Sequence, residues 1–359
     1  MKKWMKMTAT MMAAAMALTA CGGNDAADNS DDAGETYTVG IIQQLEHPAL
    51  DAATKGFEDK LTELLGDKVK FDYQNAQGEQ TNCTTIATKF VSNDVDLIMA
   101  NATTALQAAA AATGDIPIVG TSVTDYKTAG VVDSNEKPGT NVTGVSDLGE
   151  IKAQVDVLLT FCEPDTKIAV VYCSAEPNSI YQAERAERYL KRLKRDCAIY
   201  TVADSNDVQA VLTKAVQECG AIFIPTDNTM ANSMEIVKNI TIPAGVPTFA
   251  GAEYMSRIGA LATLSVRYYD LGVKAAEMAY NILVNGTKPA EMPIAFVSDG
   301  ATPKGFGHPS SCRYGSTGGN DGITFPFAED ESACIEETVF SIHLIEKFDL
   351  LLTIKTGML

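Results

Sequence analysis

The sequence predicts an α/β protein built as two doubly wound, Rossmann-like lobes with a cleft between them. Three observations point there. From residue 37 onward, short apolar runs alternate with polar loops and amphipathic helical stretches. This rhythm breaks at a Gly/Pro/Asn-rich segment near residues 134–144 and then restarts. A long helical pattern, Tyr268 to Val284, follows the second array and reads as a return to the first. Repeated strand–loop–helix units make open parallel sheets, whose sites lie outside the carboxyl ends of the strands.

The first unit sets the frame. Thr38 to Ile42 is a buried strand, and Gln43 to His47 is a polar loop. Pro48 stands where a helix can begin without needing an N–H. Leu50, Ala53, Phe57, Leu61 and Leu64 then recur at helical spacing. Lys68 to Tyr73 is the next strand, Asn75 to Gly78 a turn, Thr81 to Val91 a helix and Val95 to Met99 a strand. Asn101 to Ala112 is an alanine-rich helix opened by Thr103 and Thr104, both good capping types. Ile116 to Val119 is a strand running into the polar stretch Gly120 to Asp125, and Asn141 to Asp147 is the expected crossing between lobes.

The second array begins with a helix, Ile151 to Leu159, and a strand, Lys167 to Tyr172. The charged helix Asn178 to Leu193, the strand Ala198 to Val202 and the helix Val208 to Cys219 follow. Ala221 to Ile224 is a strand and Thr229 to Asn239 a helix. Val246 to Ala250, Ala260 to Leu264 and Ile294 to Val297 are read as further strands. The expected lobes are 36–145 with 268–288, and 146–267 with 289–304. Residues 305–359 lose the rhythm: glycines cluster over 305–322, an acidic patch follows at 329–337, and Phe340 to Ile354 is apolar. This tail is atypical, and a shift of reading frame or disorder is the expectation, with a folded extension as the alternative.

The chain starts with an address. Lys2, Lys3 and Lys6 precede a short apolar stretch, Met7 to Leu18, too short to span a bilayer comfortably. It ends in Leu18-Thr19-Ala20-Cys21, which resembles the lipobox of bacterial lipoproteins; an ordinary signal peptide with an incidental cysteine is the alternative. Acylation of Cys21 would anchor the protein in a membrane. Residues 22–35 are Gly, Asn, Asp, Ala and Ser without periodicity, and read as a disordered acidic spacer. The folded part is then extracytoplasmic.

Composition narrows the chemistry. About 320 residues remain after signal and spacer, enough for two lobes of ordinary size. The formal charge of −18 argues against nucleic acid as a partner. None of the eight cysteines shows CxxC spacing, so zinc is not expected; a disulfide and buried free thiols both fit. There is no Gly-x-Ser-x-Gly elbow and no Walker-type loop, and the three histidines, His47, His308 and His343, make no metal set. No catalytic residues and no cofactor are expected.

Five loop motifs stand at the ends of successive strands: Gln44-Leu-Glu-His-Pro-Ala-Leu-Asp51, Asn75-Ala-Gln-Gly78, Asn141-Val-Thr-Gly-Val-Ser-Asp147, Glu176-Pro-Asn-Ser179 and Pro225-Thr-Asp-Asn228. As a set, over roughly residues 1–304, they resemble the substrate-binding lipoproteins of ABC importers with the type I periplasmic-binding-protein fold, in the subgroup associated with tryptophan or tyrosine. The resemblance implies capture of a small ligand by hinge closure and delivery to an ABC permease, with no catalysis. It also implies the ligand class, an amino acid of aromatic kind. A sensory receptor component of the same fold, or a binder of a nucleoside or sugar, is the alternative.

An amino acid brings a carboxylate, which seeks hydroxyls and helix N-termini, and an ammonium, which seeks carboxylates or carbonyls. Thr103, Thr104, Thr121 and Ser122 are the candidates for the carboxylate, with helix capping as the plain role of the first two. Asp227 is the first candidate for the ammonium, against a role as N-cap, and Glu253 the second. Gln44, Glu46, Glu176, Asn178, Ser179 and Asn228 complete the expected site, and Ser146 and Asp147 sit where closure would be felt. His47 reads as structural or as an orienting group. Tyr126, Tyr181, Tyr254, Tyr268 and Tyr269 are candidates for aromatic stacking.

Overall fold

The computed structural model describes residues 36–297. The signal, Cys21, the spacer and the tail 305–359 lie outside the described residues.

Among the described residues, ten strands and ten α-helices follow one another. The first array is β1 (Tyr37–Gln43), α1 (Pro48–Leu65), β2 (Val69–Asn75), α2 (Gln80–Ser92), β3 (Leu97–Asn101), α3 (Thr103–Ala112), β4 (Ile118–Val123) and β5 (Val142–Ser146). The second is α4 (Ile151–Leu159), β6 (Ile168–Cys173), α5 (Pro177–Arg192), β7 (Cys197–Val202), α6 (Val208–Glu218), β8 (Ala221–Ile224), α7 (Asn228–Asn232), α8 (Met234–Thr241), β9 (Thr248–Ala250) and α9 (Glu253–Ile258). The chain then returns through α10 (Tyr268–Leu283) and β10 (Ala295–Phe296).

Two parallel sheets result. The first has the order β10-β5-β4-β3-β1-β2 and the second β7-β6-β8-β9. Both reverse direction beside their first strand, so each sheet has a topological switch point: β1/β3 in one, β6/β8 in the other. The central strands β3, β4 and β5 are buried at every position, as strands covered by helices on both faces must be. Helix α10 packs against α1 in the first lobe. A Cβ on Gly272 would stand 1.9 Å from the Ala53 carbonyl oxygen, so only glycine lets the two backbones come this close.

The structure corrects several expectations. Within the expected crossing, Val142–Ser146 is a strand of the first sheet. Gly120 to Val123 is strand rather than loop. Ala260 to Leu264 forms no strand: Ala262 makes one isolated bridge to Phe249. The helix expected over 229–239 is two helices that meet at Ser233, whose hydroxyl donates back to the Thr229 carbonyl and competes with the helical pattern. Helix α9 was not anticipated. Residues 289–297, expected with the second lobe, belong to the first. Strand β10 pairs with β5, the Thr143 hydroxyl donates to the Met292 carbonyl at 2.8 Å, and Ile294 N donates to the Asn135 carbonyl at 2.8 Å.

Cys83, Cys173, Cys197 and Cys219 are free thiols. Among the described residues no helix is long and apolar enough to cross a membrane, and no cluster of metal-ligating side chains occurs.

Candidate functional site

The two switch points face each other. From the first lobe come Gln44 after β1, Asn101 at the end of β3, Thr103 at the start of α3, and Thr121 and Ser122 in β4. Register fixes their neighbourhood: Gln43 stands opposite Asn101, and Asn101 opposite Thr121. From the second lobe come Glu176, Asn178 and Ser179 after β6, and Asp227 and Asn228 after β8.

The lobes touch through polar side chains. His47 Nε2 lies 3.2 Å from Asn228 Oδ1. Gln182 of α5 donates through Nε2 to the Thr124 hydroxyl at 3.2 Å. Thr124 in turn donates to Asp147 Oδ1 at 3.1 Å, and Tyr268 OH donates to Asp147 Oδ2 at 3.1 Å. Asp147 stands on the outgoing crossing and Tyr268 just after the returning one, so this chain of bonds ties both crossings to both lobes. Ser146 donates to the Thr124 carbonyl at 2.8 Å and steadies the same corner. A small cavity bordered by Thr103, Asp125 and Thr128 on one side and Pro177, Asn178 and Tyr181 on the other lies between the lobes.

The first lobe brings polar atoms without partners. Gln44 Oε1, His47 Nδ1, Asn101 Oδ1, Thr103 Oγ1, Thr121 Oγ1 and Ser122 Oγ are all buried and make no hydrogen bond. A buried polar atom left unpaired costs about 1–3 kcal/mol, so six gathered at one sheet end mark a surface shaped for a ligand. The backbone is strained at the same place. Ala102 adopts φ 87° and ψ 160°, and Ser122 φ 56°, conformations that favour glycine. Strain of this kind costs on the order of 1–3 kcal/mol per residue and concentrates at functional sites. At Ala102 it turns the start of α3 toward the cleft. No side chain caps that helix, so its first N–H groups and their partial positive charge stand open beside Thr103.

The second lobe brings negative charge. Glu176 is 4% exposed, and its carboxylate accepts from Thr229 N and Oγ1, Asn228 N and Nδ2, and Asn178 Nδ2. Asp227 caps α7 by accepting from Met230 N at 2.8 Å, while its other oxygen accepts from Cys173 N at 2.6 Å. Burial, and then the neighbouring Glu176, push the Asp227 carboxyl up to about 7; burial pushes Asp147 up to about 6. Among the described residues none of the three makes an ion pair. This side of the cleft therefore holds carboxylates with no counter-charge among the described residues.

Of the expected site residues, the structure gathers Gln44, Thr103, Thr121, Ser122, Ser146, Asp147, Glu176, Asn178, Ser179, Asp227 and Asn228. It leaves three aside. Glu46 is exposed and reaches only Asn75. Thr104 is half-buried at the second position of α3. Glu253 pairs with Arg257 on α9. Asp227, the first ammonium candidate, has both oxygens committed to backbone N–H groups, so the capping role wins there. Thr103, conversely, makes no capping bond. Among the tyrosines, Tyr126 is core, its hydroxyl donating to the Val145 carbonyl, and Tyr269 bonds Asp59 on the surface. Tyr181 borders the inter-lobe cavity and stacks under Arg185. Sequence reasoning missed Thr124, Gln182 and Asn101. Gln182 carried a usable signal, since it lies one helical turn after Asn178 on the same face.

A sequence model of the ABC transporter substrate binding proteins matches residues 38–302. A tyrosine-binding protein of Clostridioides difficile is 36% identical over 290 residues, 79% of this chain and 84% of that protein. A Streptococcus pneumonia ABC domain solved with L-Trp superposes with a TM-score of 0.71 at 32% identity, over 74% of this chain and 90% of that one. The ligand-free, open structure of a Clostridium difficile substrate-binding protein with adhesive properties gives a TM-score of 0.57 at 37% identity, over 73% and 89%. With two type I periplasmic-binding lobes and a match across most of its folded length, the chain belongs to the ABC transporter substrate-binding protein family.

Proposed function

We propose that this protein is the extracytoplasmic binding component of an ABC importer. It captures an amino acid, of the aromatic class, by closing its lobes and delivers it to the permease. Anchoring through an acylated Cys21 and the lobe limits at the two crossings are part of the same reading. One observation carries the choice of ligand: unpaired hydroxyls and an open helix N-terminus in the first lobe face buried carboxylates without a counter-charge in the second. A zwitterion answers both needs. Its carboxylate suits Thr103, Ser122 and the start of α3, and its ammonium suits the negative side of the cleft. The relatives that bind tyrosine and L-Trp support the aromatic class.

Thermal unfolding against the twenty amino acids, nucleosides and sugars tests this. A ligand at 100 times its dissociation constant adds about 2.7 kcal/mol to stability. Stabilisation by tyrosine, tryptophan or phenylalanine is the expected result. Stabilisation by nucleosides or sugars alone would discard the ligand class and keep the fold.

A further inference from the structure

His47 holds the N-cap position of α1 but makes no capping bond, so its ring is free for another use. The ring is 5% exposed and joins the lobes through Nε2 and Asn228 Oδ1. Which atom carries the hydrogen follows from the far side of the contact. Asn228 Nδ2 lies 2.8 Å from Glu176 Oε2, which also accepts from Asn228 N at 3.1 Å. An ionised carboxylate only accepts, so the Asn228 amide must turn its NH2 to Glu176 and its oxygen to His47. An amide oxygen also only accepts, so His47 Nε2 carries the hydrogen. Burial opposes a charged ring, and the His47 imidazole is held below its ordinary pKa by desolvation. The Nδ1 atom is then a bare acceptor, buried and without a partner.

Two other unpaired acceptors belong to the same end of the first sheet. Asn101 gives its NH2 to the Leu50 carbonyl at 2.8 Å and the Thr54 hydroxyl at 3.0 Å, which leaves its oxygen unpaired. Gln44, three residues before His47, has its Oε1 unpaired. We propose that His47 is a specificity-determining residue whose Nδ1 accepts a hydrogen bond from an N–H of the ligand's ammonium, with the Glu176–Asn228 pair of the opposite lobe setting the tautomer as the cleft closes. This rests on the amino-acid reading above. It gives the loop after β1 a share in recognising the ammonium beside the negative side of the cleft, in place of Asp227 and Glu253. It also makes recognition conditional on closure, because only the closed cleft brings Asn228 to the ring.

The test uses the full chain, with L-tyrosine and L-tryptophan as ligands beside their deaminated counterparts, 3-(4-hydroxyphenyl)propanoate and 3-(indol-3-yl)propanoate. In His47→Gln the side-chain amide can still donate to Asn228 but offers no acceptor at the Nδ1 position. Calorimetric titration should show wild-type preference for the amine-bearing ligand, and H47Q should lose about tenfold or more of that preference while binding the deaminated acids within a few-fold of wild type. Nitrogen-15 spectra of wild-type His47 supply a readout independent of any variant. On addition of ligand the unprotonated ring nitrogen should shift toward the hydrogen-bonded range. Binding of an amino acid with unchanged preference in H47Q, or with no movement of that resonance, overturns the proposal and leaves the amino-acid reading intact. No binding of any amino acid by the folded wild type overturns both.

Discussion

Replacing Glu176 by Gln tests the negative half of the cleft. The Glu176 carboxylate accepts five hydrogen bonds, two at Oε1 and three at Oε2. A glutamine must present NH2 at one of these positions. The milder choice is Oε1, where the Thr229 hydroxyl at 2.8 Å can rotate to accept, but Thr229 N, also at 2.8 Å, then faces another donor. One charge-assisted bond to a backbone N–H is lost, and the bonds at Oε2 weaken from ionic to neutral. Hydrogen bonds to charged groups contribute about 1.5–3 kcal/mol each, so the loss should be about 3 kcal/mol. For a domain of this size that lowers Tm by roughly 6–12 °C, read by calorimetry or circular dichroism. The same variant removes the charge that helps raise Asp227, so the Asp227 titration should move down from about 7. A stability loss below about 1 kcal/mol would refute the claim that all five hydrogen bonds to this carboxylate are used.

Two further variants follow from the same site. Asp147 titrates near 6 in the fold against about 3.8 when exposed, so the native state holds the proton more tightly and this group loses stability as pH rises from about 4 through 6. Asp147→Asn is spared that loss, and its stability relative to wild type should improve by about 3 kcal/mol between pH 4 and pH 7 in urea unfolding; a constant difference would refute the raised pKa. Thr103→Val removes an unpaired buried hydroxyl, so stability should hold or rise slightly, while affinity for the proposed amino-acid ligand should fall by about tenfold. Equal affinity in T103V would remove Thr103 from the ligand.

The sequence by itself determined the architecture. Apolar runs and helical spacing placed nearly every strand and helix, because burial of a sheet on both faces leaves a periodic record in the chain. It also pointed to the carboxyl ends of the strands as the candidate site, since that is the edge at which parallel sheets bind ligands. Where local signals were weak, the reading failed. The bridge at Ala262, the break at Ser233 and the return of β10 to β5 depend on partners far away in sequence. Roles within the site were decided by tertiary structure alone. Asp227 and Thr103 both read as caps or ligand contacts, and only packing showed that Asp227 is committed to backbone N–H groups while Thr103 is free. The direction of the His47 hydrogen bond is set by Glu176 through Asn228, across 129 positions of chain and from the other lobe. No spacing rule encodes such a relation, because a hydrogen bond's direction depends on which acceptors the closed fold has already filled.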